Sequence, residues 1–454
     1  MRLAKILLLS ALSFSFHAFA PAWAEETPLQ EGHEPFRADV RGLPSDEPPV
    51  VSAWRRVPID PEYGGMFVLA GDIDGDHEVE IVAARNVNVG DDHYTSALSV
   101  QKLDGSVLWR WGDPKIGRKN LHHDVACQIH DVDNDGKPEV VVAADREVVI
   151  LDGVTGTVKT RFPIPEHASD CVTFADLRGR GYRGEILVKT RYTRIWAYSS
   201  GGELLWSVEE PGGYRTAHQP YPVDLDGDGR EEILAGYAAL NPDGSLRWVF
   251  ELEDGKRNGG HADCWRVVRV AEDPKDTRLI MTMCGGDALV MTDGEGKLVW
   301  KRTGHHYESV DVGEVRPDVR GLELVVDVDH LRVPEKPLCV FAEDGTLLGR
   351  YITDGTRHHA LLDWNRDGVQ EVASARTRRL FDGSGSRVVT LDIPRDERPY
   401  DVQGGDFTGD GGDDVFVVTT RDEDIFAYIF TFQEPPPISR RSRPTGSGVN
   451  FTFY

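Results

Sequence analysis

DIDGDHEVEIV (Asp72–Val82), DVDNDGKPEVVV (Asp131–Val142), DLDGDGREEIL (Asp224–Leu234), DWNRDGVQEVA (Asp363–Ala373) and DFTGDGGDDVFVV (Asp406–Val418) are five versions of one phrase: an acidic, glycine-bearing turn that runs straight into an apolar strand. The phrase recurs about every 45 residues, and a fixed period of that size is the mark of a four-stranded propeller blade. Around it, the chain reads as units near 63–111, 120–162, 167–209, 214–250, 259–301, 305–350, 357–392 and 398–432. Each has a strand before the turn, a strand after it, and then a hairpin such as LDGSVLW (Leu103–Trp109) or NPDGSLRW (Asn241–Trp248), where glycine supplies the positive φ. The expectation is an all-β, eight-bladed β-propeller of four-stranded antiparallel blades, with seven blades the alternative. Trp109, Trp206, Trp248 and Trp300, which end fourth strands, are expected to lie between blades.

The same turns carry carboxylates at the spacing of hard oxygen ligands, so calcium is expected at Asp72, Asp74 and Asp76, at Asp131, Asp133 and Asp135, and at Asp224, Asp226 and Asp228. Asp363, Asn365 and Asp367, with Asp406 and Asp410, complete the set. An Asx-turn held by its own side chains is the alternative. In ADLRGRGYRGE (Ala175–Glu185), AEDPKDTR (Ala271–Arg278) and GEVRPDVRGLE (Gly313–Glu323) the shape persists while the ligands are lost. The turn is thus required where the ion is not.

At the N-terminus, Arg2 and Lys5 precede an apolar stretch ending in Ala22-Trp23-Ala24, which reads as a signal peptide over 1–24 and implies export to the periplasm or medium. A polar extension is expected over 25–60, the propeller over 61–432 and a Pro-rich tail over 433–454; VNFTFY at the end could equally be a closing strand. No later segment is apolar enough for a membrane span. The net charge of −25 argues against nucleic acid as a partner but leaves an anionic polysaccharide possible, since many carboxylates sit in the candidate ion loops. A monomer is expected. The five cysteines permit disulfides; Cys264 and Cys284 flank one turn, and Cys127 and Cys171 occupy equivalent places in neighbouring units, but buried free thiols suit each equally well.

A second recurrence lies one strand before each turn. His123, His167, His218, His261, His306 and His359 each begin an innermost strand, and equivalent positions of successive blades ring the mouth of the central channel. Tyr214, Tyr307, Tyr400, Arg215, Arg266 and Arg357 fall near the same register, and His122 precedes His123. Packing alone would select Val or Leu there; repeated imidazoles point to proton transfer, metal ligation or sugar binding.

Blade grammar, DxDxDG turns and a His/Arg/Tyr-rich channel mouth resemble the propeller polysaccharide lyases, among them rhamnogalacturonan, ulvan and rhamnose–glucuronate lyases. The resemblance covers nearly all of 60–430 and implies β-elimination on a uronic acid, with bound calcium. That chemistry needs a base near neutral pH, an acid for the leaving oxygen and a cation for the carboxylate. His123 or His218 as base, Tyr214 or Tyr307 as acid, and Arg215 or Arg357 as cation would supply them. His122, His167, His261, His306, His359, Arg266 and Tyr400 would bind substrate. His122-His123-Asp124 is the first choice for the base, because Asp124 could orient an imidazole. His77 and His330 are off the register.

A calcium-binding, integrin-like propeller that holds glycan or protein explains the turns but not the histidines. A quinone-dependent dehydrogenase would need a docking Trp in nearly every blade, and about half the units have one. A hydrolase working through paired carboxylates conflicts with acids that sit at the far end of the inner strand.

Overall fold

Every blade is built outward from the channel, its innermost strand joined to the next by the acidic turn or its remnant. The computed structural model describes residues 48–119, 124, 126–250, 260–329, 336–353 and 359–454. The expected signal peptide, most of the extension, His122, His123, His330 and Arg357 lie outside these. The inner strands are Phe67–Gly71, Cys127–His130, Val172–Ala175, Thr216–Val223, His261–Arg269, His306–Gly313, His359–Leu362 and Arg398–Gly405. They head eight separate sheets, so the molecule is an eight-bladed propeller with antiparallel four-stranded blades.

Blade 8 departs from the reading of its unit, because residues 398–432 provide three strands and not four. The outer strand comes from Arg55–Pro58, which pairs antiparallel from Arg55 opposite Ile429 to Pro58 opposite Phe426. Val50–Val51 adds a fifth, parallel strand to blade 7. The chain that leads into blade 1 thus completes blade 8 and ties the first blade to the last.

The tryptophans lie where expected. Trp109, Trp206, Trp248 and Trp300 donate their indole N–H to carbonyls of the next blade, at Gly153, Pro242, Gly294 and Glu343. Gly156, at φ 69°, must be glycine for a steric reason too, since a Cβ there would meet the Trp109 ring at 2.5 Å. All five cysteines are free thiols; Cys264 faces Thr282 and Cys284 faces His261, so the two sulfurs do not oppose each other.

The acid that begins the second strand explains why turns outlive their ligands. Glu80, Glu139, Glu185, Glu232, Glu323, Glu371 and Asp414 accept backbone N–H bonds of 2.9–3.0 Å from Ile73, Val132, Leu177, Leu225, Val315, Trp364 and Phe407. A buried carboxylate thus braces the turn from inside in seven blades, 3 and 6 among them; in blade 5, whose second strand begins at Arg278, Thr277 Oγ1 accepts the Ala271 N–H instead. Burial, opposed by the Trp364 N–H and assisted by Asp367 and Asp363, pushes Glu371 up to about 7. An acid raised in this way contributes stability that is full below its ordinary value near 4.5 and is lost as pH rises through 7. Glu371→Gln keeps the acceptor without the charge. In chelating buffer its melting temperature should therefore gain on the wild type between those pH values; a constant difference would refute the assignment.

Residues 441–454 are neither blade nor loose tail. Arg441 pairs with Glu78 at the acidic turns, its carbonyl 2.9 Å from His77 Nδ1, and Ser447 N–H donates to Ala70 O at 2.8 Å. The segment then runs up the channel towards the histidines. The Asn450 side chain exchanges two hydrogen bonds with the Phe174 backbone, and the Gln128 side chain two with Phe451. Gln219 donates to Asn450 O, Phe453 meets Phe67 edge-on at 5.6 Å, and Arg266 donates to the Tyr454 carbonyl. VNFTFY is therefore not a closing strand; side-chain amides play the part of neighbouring strands.

Candidate active site

Inner strands of blades 4, 5 and 6 begin side by side at the channel mouth and bring three imidazoles onto one carboxylate. His261 Nε2 lies 3.1 Å from Asp263 Oδ1, His218 Nε2 3.4 Å from the same oxygen, and His306 Nε2 3.7 Å from Oδ2. The His218 and His261 Nε2 atoms are themselves 3.1 Å apart. His218 Nδ1 is 2.6 Å from Asp124 Oδ1, and His306 Nε2 is 2.7 Å from Glu308 Oε2. Whichever partner His261 Nε2 takes, its Nδ1 is left buried with no hydrogen-bond partner among the described residues.

Blades 1 and 3 complete the wall. Asp124 accepts from Arg191, whose guanidinium also lies 2.9 Å from His93 Nδ1, and His93 Nδ1 is 2.6 Å from Asp170. Asp170 takes the fully buried Lys189 ammonium at 2.5 Å, and that ammonium donates further to the Thr190 and Arg191 carbonyls. Tyr192 covers the group, its ring 4.2 Å from His261 and 5.5 Å from His218. Arg191 and Arg215 lie 5.2 and 5.5 Å from the same ring, so two cations border it in a strongly acidic protein.

The imidazoles are driven apart in charge. Burial disfavours the His218 cation, but Asp124 and Asp263 outweigh it and push the ring up to about 9. His306 is pushed up to about 10, burial again being outweighed, by Cys284, Glu308 and Asp263. His261 moves the other way: burial and the neighbouring His218 charge lower it, despite Asp263. At neutral pH a neutral imidazole is thus held against an imidazolium, and groups displaced in opposite directions are the arrangement acid–base chemistry uses.

Of the residues expected at the mouth, His218, His261 and His306 are brought together, with Arg215 exposed beside Tyr192. Tyr214 is half-buried and meets Tyr237 edge-on at 5.5 Å. His167 is exposed and bonds Asp92. His359 and Arg266 line the channel deeper down, in a cavity of about 400 Å³ shared with Asp311, Phe451 and Tyr454. Tyr307 does not join the group: it is 2% exposed and belongs to the core between blades. Tyr400 is also buried, its hydroxyl donating to Met66 O. Both adjoin a channel-facing residue, and successive side chains of a strand face opposite ways.

The acids were misplaced in one respect. Besides those at the turns, Asp124, Asp170, Asp263 and Glu308 lie among the histidines, so the distance argument against a carboxylate hydrolase does not hold. Each is instead engaged by the cations and imidazoles described above. The signal was present, since Asp124, Asp170, Asp263 and Glu308 follow a register histidine by one to three residues. Nothing comparable marks His93, Lys189, Arg191 or Tyr192, which come from second and third strands and the hairpin between them.

Two kinds of donor set suit a metal. At the mouth, His218, His261 and Asp263 offer atoms within 4.8 Å of one another, with Asp124 on the far nitrogen of His218 as the outer partner a ligating imidazole has. At the turns, Asp72, Asp74 and Glu80, and Asp131, Asp133 and Glu139, offer oxygens alone, as calcium requires, and Asp72 Oδ2 is buried without a hydrogen bond, 3.5 Å from the Arg443 guanidinium. In blades 1, 2 and 4 a cation of the same blade already enters the turn: Lys102 is 2.9 Å from Asp74 and Asp76, Lys159 is 2.8 Å from Asp133, and Arg247 is 2.9 Å from Asp226. Among the described residues no Lys or Arg pairs with Asp363, Asn365, Asp367 or Glu371 in blade 7.

No protein-family model matches the chain. In sequence it is 23% identical over 339 residues to the rhamnogalacturonan endolyase YesW of Bacillus subtilis, covering 63% of this chain and 50% of that protein. It is 25% identical over 304 residues to the exolyase YesX of the same organism, covering 52% and 48%. The chain thus spans about half the length of the curated relatives it matches. Among solved structures, a Bacillus licheniformis rhamnogalacturonan lyase superposes with a TM-score of 0.58 at 18% identity, over 88% of this chain and 76% of that one. No helix among the described residues is long and apolar enough to cross a membrane. The chain is similar in sequence to rhamnogalacturonan lyases, and it shares their propeller fold.

Proposed function

We propose that the protein is a polysaccharide lyase that cleaves a uronic-acid-containing polysaccharide, at a rhamnose–uronate type of linkage, by β-elimination at the histidine end of the channel. One observation carries this: the neutral His261, its Nδ1 unpartnered, lies against the charged His218 under a tyrosine bordered by Arg191 and Arg215. With its Nε2–H donated to Asp263, His261 takes the proton alpha to the uronate carboxyl on Nδ1. The electron pair left on that carbon forms the new double bond, and the bond to the leaving glycosidic oxygen breaks. That oxygen collects a proton from His218 or Tyr192. Arg191 and Arg215 hold the carboxylate, whose oxygens carry the charge that develops.

Export through the N-terminal leader and calcium in the acidic loops are part of the same reading. Calcium needs deprotonated ligands, so adding it should reverse the pH trend expected for Glu371, most clearly through the blade 7 loop, where no internal cation competes. The function is tested by incubating the protein with a panel of uronate polymers and following the ultraviolet absorbance of the unsaturated product. Rhamnose–uronate polymers should give it and uronate-free glycans should not. Binding without product across the panel would replace the lyase with a glycan-binding propeller.

A further inference from the structure

The channel of this propeller is partly filled by its own chain, beside the cavity of about 400 Å³, and the filling reaches the site. Ser447, Asn450, Phe451 and Tyr454 are tied to inner strands or strand ends of six successive blades, 8, 1, 2, 3, 4 and 5, through Gln403, Ala70, Gln128, Phe174, Gln219 and Arg266. At the top the Tyr454 ring lies flat on His218, centroids 4.2 Å apart and planes 11° apart, and both residues are about 95% buried. Arg266 anchors the Tyr454 carbonyl, so the ring is held from below and not merely in contact. His218 is thereby fixed on three sides, by Asp124 at Nδ1, by His261 and Asp263 at Nε2, and by Tyr454 across one face.

We propose that residues 447–454 are the built-in floor of the site and that Tyr454 is a positioning residue, holding the His218 imidazole in line with His261 by stacking on it. Stacked aromatic rings attract, and a rigid floor removes rotamers that would carry the imidazole off its partner. A polymer meets the site from the histidine face, as a segment laid across the mouth. This inference rests on the lyase reading for its catalytic meaning but not for its geometry.

Two measurements separate them. In histidine-labelled protein without substrate, the His218 ring proton signals should be displaced upfield by the stacked ring. Tyr454→Ala should abolish the displacement, and Tyr454→Phe, which restores the ring, should recover it. On a polymer that gives product, Tyr454→Ala should lower kcat on the order of tenfold to a hundredfold with KM little changed, and Tyr454→Phe should regain most of that loss. Deletion of 447–454, with the blades verified by circular dichroism, should be at least as damaging. Unchanged His218 signals in Tyr454→Ala would overturn the proposal whether or not any polymer is cleaved. So would a rise in turnover on deletion, which would make the segment an inhibitor and not a floor.

Discussion

Replacing His261 by alanine is expected to lower turnover on a uronate polymer by about a hundredfold or more, because a positioned base is lost while the blades remain. The wild-type rate should follow a bell in pH. Its acid limb belongs to His261, which must be neutral to accept a proton and whose pKa burial and His218 depress below the ordinary value of 6.5. Its alkaline limb should fall near 9, where His218 loses the proton that Asp124 and Asp263 hold on it. His218→Ala should remove that alkaline limb as well as lower the rate. His77, bonded to the Arg441 carbonyl at the opposite face, is the control, and His77→Ala should leave the profile in place. Full activity in both His261→Ala and His218→Ala, with loss in an acidic-turn variant that still folds, would move the site to the other end of the channel.

Lys189→Ala should produce the largest loss of stability of any single change considered. The ammonium is fully buried, and Asp170, Thr190 O and Arg191 O take its three protons. Its removal takes the ammonium from Asp170, a carboxylate 2% exposed that keeps His93 at 2.6 Å, and breaking a buried pair by removing one partner costs about 3–5 kcal/mol. Arg191 lies 3.6 Å from Asp170 and can compensate only by leaving Asp124, so activity should fall with stability. Lys189→Ala with Asp170→Asn should recover part of the loss, since no charge is then left unpaired. A single variant that unfolds at the wild-type denaturant midpoint would show that the pair is not buried as described.

The blade count was legible because the turn is written out repeatedly and each copy pairs a surface acid with a strand-starting acid. The strand contributed by Arg55–Pro58 was not legible, because four residues with one deeply buried apolar side chain carry no period; only the missing edge of blade 8 calls for them. At the site, a histidine register was enough to find His218, His261 and His306. Strand parity would also have removed Tyr307, since it follows His306 directly and two consecutive residues cannot both face the channel. The remainder comes from contacts between elements far apart in the chain. His93 meets Asp170 across 77 residues and Arg191 meets Asp124 across 67, and no local pattern records such distances.

The partly filled channel also imposes an order on folding. Asn450 bonds Gln219 across 231 residues, and Ser447 bonds Ala70 across 377, so these contacts close very long loops and form late. Residues 447–454 follow all eight blades in the chain, and the hole they occupy exists only once the blades have met around it. Tyr454 can therefore reach His218 only after the ring is assembled. On refolding, recovery of secondary structure is expected to run ahead of recovery of the site.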